Sequence, residues 1–321
     1  MSCKRLALII PYFGKFNSYF QLFLKTCKYN PRTDWIIFTD DKTNFNYPEN
    51  VHVYYMTFKN MQKLIQSKFD FEVSINKPYK LCDYKVAYGY IFYEYIKEYE
   101  YWGYCDTDIV WGDLDSFLDE KLKMSFDKLF PLGHLSIYKN SEKLRTLFRG
   151  TYIYNGIYKD IFSQDKIWGF DELYINSMVE NSGLQLYEED VSANPSVYYY
   201  KFRLVKKCQD LNRYLTEDYV DAKYYWENGK LYRVFFNDDT GKMEKNKFPY
   251  IHLQQRKMKM DKNILNGRKI EIGFGEFWPE TVKWKKINFD VLKKCAGNRL
   301  RWKIKKSINL ILPGMYNRAK L

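Results

Sequence analysis

Asp106 and Asp108 are the side chains whose type and spacing point most directly to chemistry, because they follow the apolar segment 101–105 as Asp-Thr-Asp. Two carboxylates two residues apart can both turn into the cleft that forms where a strand ends. Mg²⁺ and Mn²⁺ prefer such oxygen ligands and bridge readily to phosphate oxygens. A bound ion of this kind offsets the charge that develops on a departing diphosphate. The spacing therefore predicts a divalent-metal site, with a solvated turn as the alternative.

The segments before this motif predict the element that must hold it. Short apolar stretches predict strands at residues 6–11, 35–39 and 51–55. Helices are predicted at about residues 17–28, with Asn17 as a cap, at about 57–67, and over 77–97. This alternation predicts an α/β sheet, whose ligands bind beyond the carboxyl ends of the strands. Tyr12, Asp40 and Asp41 are expected at that edge.

The segments after the motif predict further strands and helices and then a change of pattern. Strands are predicted at residues 101–105 and 133–138, and helices at 113–118, 141–148 and 171–181. Residues 224–253 have the pattern of a β-meander. Its first turn is marked by Asn228-Gly229, because Asn-Gly is the strongest short signal for a hairpin.

Four segments in this order carry a resemblance to a known family. They are Pro78-Tyr-Lys80-Leu-Cys-Asp83, Tyr101-Trp-Gly-Tyr-Cys-Asp106-Thr-Asp108, Gly133-His-Leu-Ser-Ile-Tyr-Lys-Asn140 and Phe170-Asp171-Glu172. Together they resemble bacterial surface-polysaccharide glycosyltransferases, of the capsular or O-antigen type, with the GT-A fold and an Asp-x-Asp motif. The resemblance covers about residues 5–255. It implies an α/β fold with a Rossmann-like mixed sheet and flanking helices.

The resemblance also implies a reaction and its partners. The donor is expected to be a nucleoside-diphosphate sugar, UDP-linked and of the galactose type, used together with Mn²⁺ or Mg²⁺. The acceptor is expected to be a saccharide, lipid-linked in a membrane-proximal enzyme. Both inversion and retention of the anomeric configuration are open at this point.

The same resemblance implies roles for individual residues. His252 is expected to complete the metal site of Asp106 and Asp108, with a packed or surface histidine as the alternative. Asp171 and Glu172 are expected to be catalytic, and Asp171 is favoured as the base that removes the acceptor proton. Their alternative role is stabilisation of a helix N-terminus, which acidic residues favour in general.

Further residues are expected to bind the donor. Lys80 and Asp83 are placed near its phosphate, sugar or base by the resemblance, although an i,i+3 surface ion pair is the alternative. His134 is expected to contact donor or acceptor, whereas His52, inside a predicted strand, is expected to be structural. The remaining donor-binding positions are expected to be Pro11, Tyr12, Phe13, Asp40 and Asp106.

Charge divides the chain into two predicted parts. The net charge is +13, and residues 281–321 alone carry twelve Lys or Arg and one Asp. Because the rest is close to neutral, the composition argues against a nucleic-acid-binding core. Leu300, Ile304, Ile308 and Ile311 would share one face of a basic amphipathic helix suited to an anionic membrane surface. The predicted parts are a glycosyltransferase domain, residues 1–255, and a basic extension, residues 256–321.

The compartment and two competing functions follow from what else the sequence contains. The six cysteines form no CxxC pair and are expected to be reduced thiols, as in the cytoplasm. No segment reaches the roughly 20 apolar residues needed to span a bilayer, so a peripheral position on the inner face of the cell membrane is expected. A sugar-nucleotide nucleotidyltransferase is one alternative, although residues 11–16 lack a Gly-rich loop. A basic protein that binds anionic lipid or nucleic acid without catalysis is the other.

Overall fold

The strands and helices are those of a computed structural model, which describes residues 4–150, 156–189, 191–195, 202–208, 213–218, 223–237, 240–254, 257–273, 275–279 and 300. In these ranges the strands are β1 (Lys4–Tyr12), β2 (Thr33–Thr39), β3 (Val51–Tyr55), β4 (Tyr99–Cys105), β5 (Ile109–Trp111), β6 (Lys128–Leu129), β7 (Leu135–Lys139), β8 (Leu186–Tyr187), β9 (Ala193–Pro195), β10 (Phe202–Cys208), β11 (Arg213–Asp218), β12 (Lys223–Glu227), β13 (Lys230–Asn237), β14 (Lys242–Phe248), β15 (Tyr250–His252), β16 (Lys269–Ile272) and β17 (Phe277–Pro279).

The helices of the same ranges are mostly short. The α-helices are α1 (Phe20–Cys27), α2 (Phe58–Gln66), α3 (Leu81–Tyr84), α4 (Tyr88–Ile91), α5 (Tyr93–Ile96), α6 (Leu114–Leu122), α7 (Glu142–Arg145), α8 (Ile157–Ser163) and α9 (Ile175–Asn181). The 3₁₀ turns are Pro78–Lys80, Lys85–Ala87, Leu147–Arg149 and Lys262–Asn266. A π-helical turn, Phe170–Tyr174, leads directly into α9.

The central sheet has seven strands in the order β3-β2-β1-β4-β7-β6-β8. The pairs β3-β2, β2-β1, β1-β4 and β6-β8 are parallel, whereas β4-β7 and β7-β6 are antiparallel. Strand β1 is buried on both faces: Ala7 and Ile9 pack into one hydrophobic cluster, and Leu6 and Leu8 into the other. Burial on both faces explains why residues 6–10 of this strand are all apolar rather than alternating. The predicted α/β fold, a Rossmann-like mixed sheet with flanking helices, is confirmed.

Two five-stranded sheets complete the fold, in the orders β11-β10-β9-β15-β5 and β14-β13-β12-β16-β17. The predicted meander is present as β12–β14, and the Asn228-Gly229 turn has the two positive φ angles, 47° and 83°, that such a hairpin needs. The prediction was wrong at its end, because β15 leaves the meander and pairs with β5 in the other sheet. Strands β16 and β17 pair onto β12, so this sheet continues past residue 255.

Two predicted helices differ from the structure. Residues 77–97 form a succession of short α and 3₁₀ turns rather than one helix. This segment packs closely on the sheet, because a Cβ at Gly89 would lie 2.4 Å from the Trp102 ring. Tertiary packing therefore overrides the helix propensity of the segment. Helix α1 begins at Phe20 instead of Asn17, whose side chain accepts a hydrogen bond from the Tyr19 backbone and donates one to the Thr107 carbonyl.

Most of the residues for which a basic C-terminal helix was predicted are not described by the structure. Apart from Leu300, the predicted basic helix and the membrane contact assigned to it lie outside the described residues. Within the described ranges, no helix is long and apolar enough to cross a membrane. Cys27, Cys82 and Cys105 are free thiols.

Candidate active site

Asp106 and Asp108 lie on either side of the step from β4 to β5. Strand β4 ends at Cys105 and β5 begins at Ile109, so the two carboxylates stand at the carboxyl edge of the central sheet. The Asp106 backbone N–H donates to the His134 carbonyl (2.9 Å), and the Thr107 carbonyl accepts from the Asn17 side chain. Asp108 is buried and Asp106 is one-third exposed. The turn is therefore held from two sides, with Asp106 facing the more open space.

His252 reaches the two aspartates through strand pairing. Strand β15 is antiparallel to β5 with His252 opposite Ile109, and the Leu253 N–H donates to the Asp108 carbonyl (2.8 Å). His252 Nε2 consequently lies 3.4 Å from Asp108 Oδ1 and 3.9 Å from Asp106 Oδ2. The three side chains that the sequence predicted as metal ligands thus meet at one place.

The cluster fits a divalent ion. One ligand atom from each of the three residues lies within 4.8 Å of the others, so a small ion can contact all three with little rearrangement. Carboxylate oxygens suit both Mn²⁺ and Mg²⁺, and a neutral imidazole nitrogen is a common additional ligand of metal ions. The predicted metal site is therefore one that the described residues can form, and Asp106, Asp108 and His252 would hold the ion.

His134 packs against the ring of His252. The two imidazole rings stack with centroids 4.1 Å apart, and His134 Nε2 is hydrogen-bonded to the Tyr250 hydroxyl at 3.1 Å. Burial lowers the pKa of His134 well below its ordinary value, and nearby His252 and Lys85 lower it further. His134 is thus a neutral buried ring that packs against His252, and its contact with donor or acceptor stays a prediction.

Lys85 is a site residue that sequence reasoning missed. Its ammonium donates to Asp106 Oδ1 (2.7 Å) and to the Gly133 carbonyl (2.8 Å), and lies 3.7 Å from Asp171 Oδ2. Burial alone would lower the pKa of Lys85, but Asp106 and Asp171 together raise it above its ordinary value. The lysine is therefore a permanent cation between two carboxylates. Its position in the sequence did not indicate a role in the site, because it lies in a 3₁₀ turn where one continuous helix was predicted.

Asp171 and Glu172 lie in the π-helical turn and face the loop before β7. The Gly133 backbone N–H donates to Glu172 Oε1 (2.8 Å), and a Cβ at Gly133 would stand 2.3 Å from Asp171 Oδ2. Only glycine allows this approach. Asp171 is buried, and burial raises the pKa of Asp171 to about 7 although Lys85 acts in the opposite direction. Near neutral pH the carboxyl can therefore exchange a proton, as a general base must.

Lys80 and Asp83 form a fully buried ion pair (2.9 Å). Lys80 also donates to the carbonyls of Ile161 and Lys166, and Asp83 accepts from the backbone N–H groups of Trp168 and Phe170. The surface ion pair considered from the sequence is therefore wrong. All three N–H groups of the Lys80 ammonium are used inside the protein, so the pair anchors the segment before Asp171 rather than facing an open donor site.

The remaining predicted donor residues lie where β1 and β2 end. Tyr12 is opposite Thr39 at the ends of the two strands, and its ring stacks on Phe16 with centroids 4.6 Å apart. Burial raises the pKa of Tyr12, and Asp108 and Asp41 raise it further. Pro11 and Tyr12 are half-buried and Phe13 is packed in the core against Phe58. Asp40 is exposed and accepts from the Gly14 N–H (2.8 Å).

Comparison with other proteins gives a family and similar solved structures. Among curated proteins, none matches the chain. A solved galactosyltransferase, LgtC in complex with donor and acceptor sugar analogues, resembles 59% of this chain over 74% of its own at 10% identity. The TM-score of 0.33 is too low for this likeness to indicate a function. Residues 8–281 match a family of unknown function, and the chain therefore belongs to that family, DUF6625.

Proposed function

We propose that this protein is a metal-dependent glycosyltransferase that moves a sugar, of the galactose type, from a UDP-linked donor to a saccharide acceptor. The observation that carries the proposal is the meeting of Asp106, Asp108 and His252 at the carboxyl edge of the sheet, with Lys85 and Asp171 beside them. This edge is where α/β sheets bind their ligands. A metal cluster, a fixed cation and a proton-accepting carboxyl are groups that can serve an inverting transfer from a nucleoside-diphosphate sugar.

The metal cluster and Lys85 serve the leaving group. A divalent ion held by Asp106, Asp108 and His252 would supply Lewis-acid stabilisation of the departing diphosphate. Lys85 places a second positive charge next to Asp106, where it balances the carboxylate that faces the open side. Since Lys85 is largely buried, its charge is poorly screened by water and acts strongly at short range.

Asp171 serves the acceptor. In an inverting reaction its carboxylate takes the proton of the acceptor hydroxyl while that oxygen bonds to the anomeric carbon. The bond from this carbon to the diphosphate breaks, and the diphosphate leaves with the electron pair. Glu172 is engaged by the Gly133 N–H and holds the loop against the π-helical turn. If the products retain the donor configuration, Asp171 orients the acceptor or donor sugar instead.

The buried Lys80–Asp83 pair serves Asp171 indirectly. Asp83 accepts from the N–H groups of Trp168, just before the turn that carries Asp171, and of Phe170, the first residue of that turn. Unpaired N–H groups at the start of a helical turn are stabilised by a carboxylate. The pair therefore fixes where the π-helical turn begins, and with it the position of the proposed base.

The acceptor and the place of action complete the proposal. We propose a lipid-linked saccharide acceptor in surface-polysaccharide synthesis, on the cytoplasmic face of the membrane. The basic residues 281–321 would contact anionic lipid, at about 1 kcal/mol for each cation near the surface. The division into a catalytic domain and a basic extension is part of the same proposal, with β16 and β17 on the side of the catalytic domain because they pair onto β12.

The direct test is incubation with UDP-sugars, Mn²⁺ or Mg²⁺, and saccharide acceptors, followed by measurement of released UDP. UDP release that requires metal and is lost in Asp108→Asn supports the proposal. Asp70→Asn is the matched control, because Asp70 is an exposed aspartate outside the cluster. Pyrophosphate release would indicate a nucleotidyltransferase instead. If neither UDP nor pyrophosphate is released and the protein binds anionic lipid or nucleic acid, the result would indicate a binding protein.

A further inference from the structure

Lys128 is a fully buried lysine beside the site that the proposed chemistry does not use. Its side chain has no exposed surface, and its ammonium donates to the carbonyl of Phe130, the Ser136 hydroxyl (3.2 Å) and the Asn176 amide oxygen (2.9 Å). These three acceptors are neutral and match the three N–H donors of an ammonium group. Burial lowers the pKa of Lys128 to about 7, although Asp171, Glu172 and Glu188 act to raise it.

The first partner of Lys128 is a residue in an unfavourable backbone conformation. Phe130 has a φ of 68°, a backbone conformation that residues other than glycine rarely adopt. Its ring is buried against Phe117, Tyr187 and Tyr250, and its carbonyl accepts from both Lys128 and Ser136 Oγ. The ring packing and the two hydrogen bonds together hold this left-handed turn, as strained positions near functional sites require.

The left-handed turn starts the loop that reaches the site. The loop runs from Phe130 to His134, and it contains Gly133, whose N–H contacts Glu172 and whose carbonyl contacts Lys85. His134, at its end, stacks on His252. A change in the direction of the chain at Phe130 would therefore move the groups that face the two acidic residues.

The third partner of Lys128 belongs to the opposite side of the site. Asn176 lies in α9, directly after the π-helical turn, and its amide donates to the carbonyls of Pro131 (2.8 Å) and Glu172 (3.0 Å). Asn176 thus bridges the loop and the acidic turn, and Lys128 holds the oxygen of the same amide. One buried lysine is in this way connected both to the loop 130–134 and to the helix that follows Asp171 and Glu172.

We propose that Lys128 is a positioning residue. Its ammonium fastens the loop 130–134 to the turn and helix that carry Asp171, Glu172 and Asn176, and so sets the distance of the two carboxyls from Gly133 and His134. In its protonated form Lys128 supplies three donors for the three acceptors, so a side chain with fewer donors leaves part of the connection unmade. The kinetic part of this inference rests on the proposed function, whereas its structural part does not.

The experiment compares Lys128→Met, which removes every donor, with Lys128→Gln, which keeps two. Lys97→Met is the matched control, because Lys97 is an exposed lysine paired only with Glu94 in the contacts described. Amide hydrogen exchange is followed in peptides covering residues 130–136 and 170–176, together with melting temperature, Mn²⁺ affinity and the kinetics of sugar transfer. We expect faster exchange in both peptides, most in the Met variant, with other peptides unchanged.

We expect kcat to fall about tenfold or more in Lys128→Met and less in Lys128→Gln, following the loss of alignment. Mn²⁺ affinity should stay within about threefold, because Lys128 contacts none of the three cluster residues. Unchanged exchange in both peptides, or loss of protection throughout a folded chain, would overturn the proposal. Asn176→Ala cuts the same connection if Lys128 variants do not fold; unchanged exchange in that variant also overturns it. If the wild type transfers no sugar, the proposed function is overturned. The hydrogen-exchange result alone then tests whether Lys128 fastens the loop to the turn.

Discussion

Gly133→Ala is the substitution whose effect can be worked out most directly from the structure. The new methyl carbon would stand 2.3 Å from Asp171 Oδ2, 2.9 Å from Asp171 Cγ and 3.0 Å from Glu172 Oε1. Since carbon and oxygen normally approach to about 3.4 Å, the Asp171 carboxyl must retreat by about 1 Å. Asp171 is buried beside Lys85, so it cannot simply swing into solvent.

The expected effect on activity follows from this displacement. A misplacement of about 1 Å costs about 100-fold in rate, which corresponds to about 2.7 kcal/mol of activation free energy. Overpacking in a tight site also lowers the free energy of unfolding by about 1–3 kcal/mol. We therefore expect a folded enzyme with kcat about two orders of magnitude below the wild type and a similar affinity for Mn²⁺.

Gly183→Ala is the control for this prediction. Its methyl would meet no atom within 4 Å, but its φ of 69° makes alanine unfavourable by about 1–2 kcal/mol. This variant should lose stability and keep its kcat, whereas Gly133→Ala should lose mainly kcat. The assay is sugar transfer under saturating donor, with melting temperature measured on the same samples. A Gly133→Ala enzyme with kcat within twofold of the wild type would refute the placement of Asp171 against the loop.

Three further predictions test the metal, the base and the C-terminal residues. Asp108→Ala should abolish Mn²⁺ binding and sugar transfer with little change in melting temperature, and EDTA should inactivate the wild type until Mn²⁺ or Mg²⁺ is added; full activity in EDTA would exclude the metal assignment. Because Asp171 acts when deprotonated and has its pKa raised to about 7, kcat should rise about tenfold per pH unit below pH 7 and level off above it. Asp171→Asn should lower kcat by about 100-fold or more at unchanged UDP affinity and remove this rise, and an unchanged profile would exclude the base role. Deleting the residues after Ala296 should leave UDP-sugar hydrolysis intact but end salt-sensitive flotation with anionic vesicles, and full-length protein that ignores such vesicles at low salt would contradict the membrane contact.

The acidic motif and the sheet edge that carries it were predictable from local sequence. Continuous apolar segments predicted β1 and β2 because strands buried on both faces have no polar side. The position of Asp106 directly after such a segment then predicted its place at the carboxyl edge. The Asn228-Gly229 hairpin was predictable for a similar reason, since two residues with positive φ are a local requirement.

Other features of the site depend on pairings between distant segments, and no local periodicity encodes these. His252 becomes a neighbour of Asp108 only because β15 leaves the meander and pairs with β5 in a particular register. Lys85 enters the site because packing against the sheet breaks the predicted helix into short turns. The burial of Lys80 and Asp83 was also a tertiary outcome, since their spacing fits a surface pair equally well until residues 161–170 cover them.

The sequence by itself thus determined which side chains could bind a metal and at which edge of the sheet the first two would stand. Only the tertiary structure decided how His252 reaches them, which lysine neutralises them, and how closely the loop at Gly133 approaches Asp171. The physical reason is that strand formation depends on the burial pattern of a few consecutive residues. Contact distances within a site depend on the packing of segments that are distant from one another in the sequence.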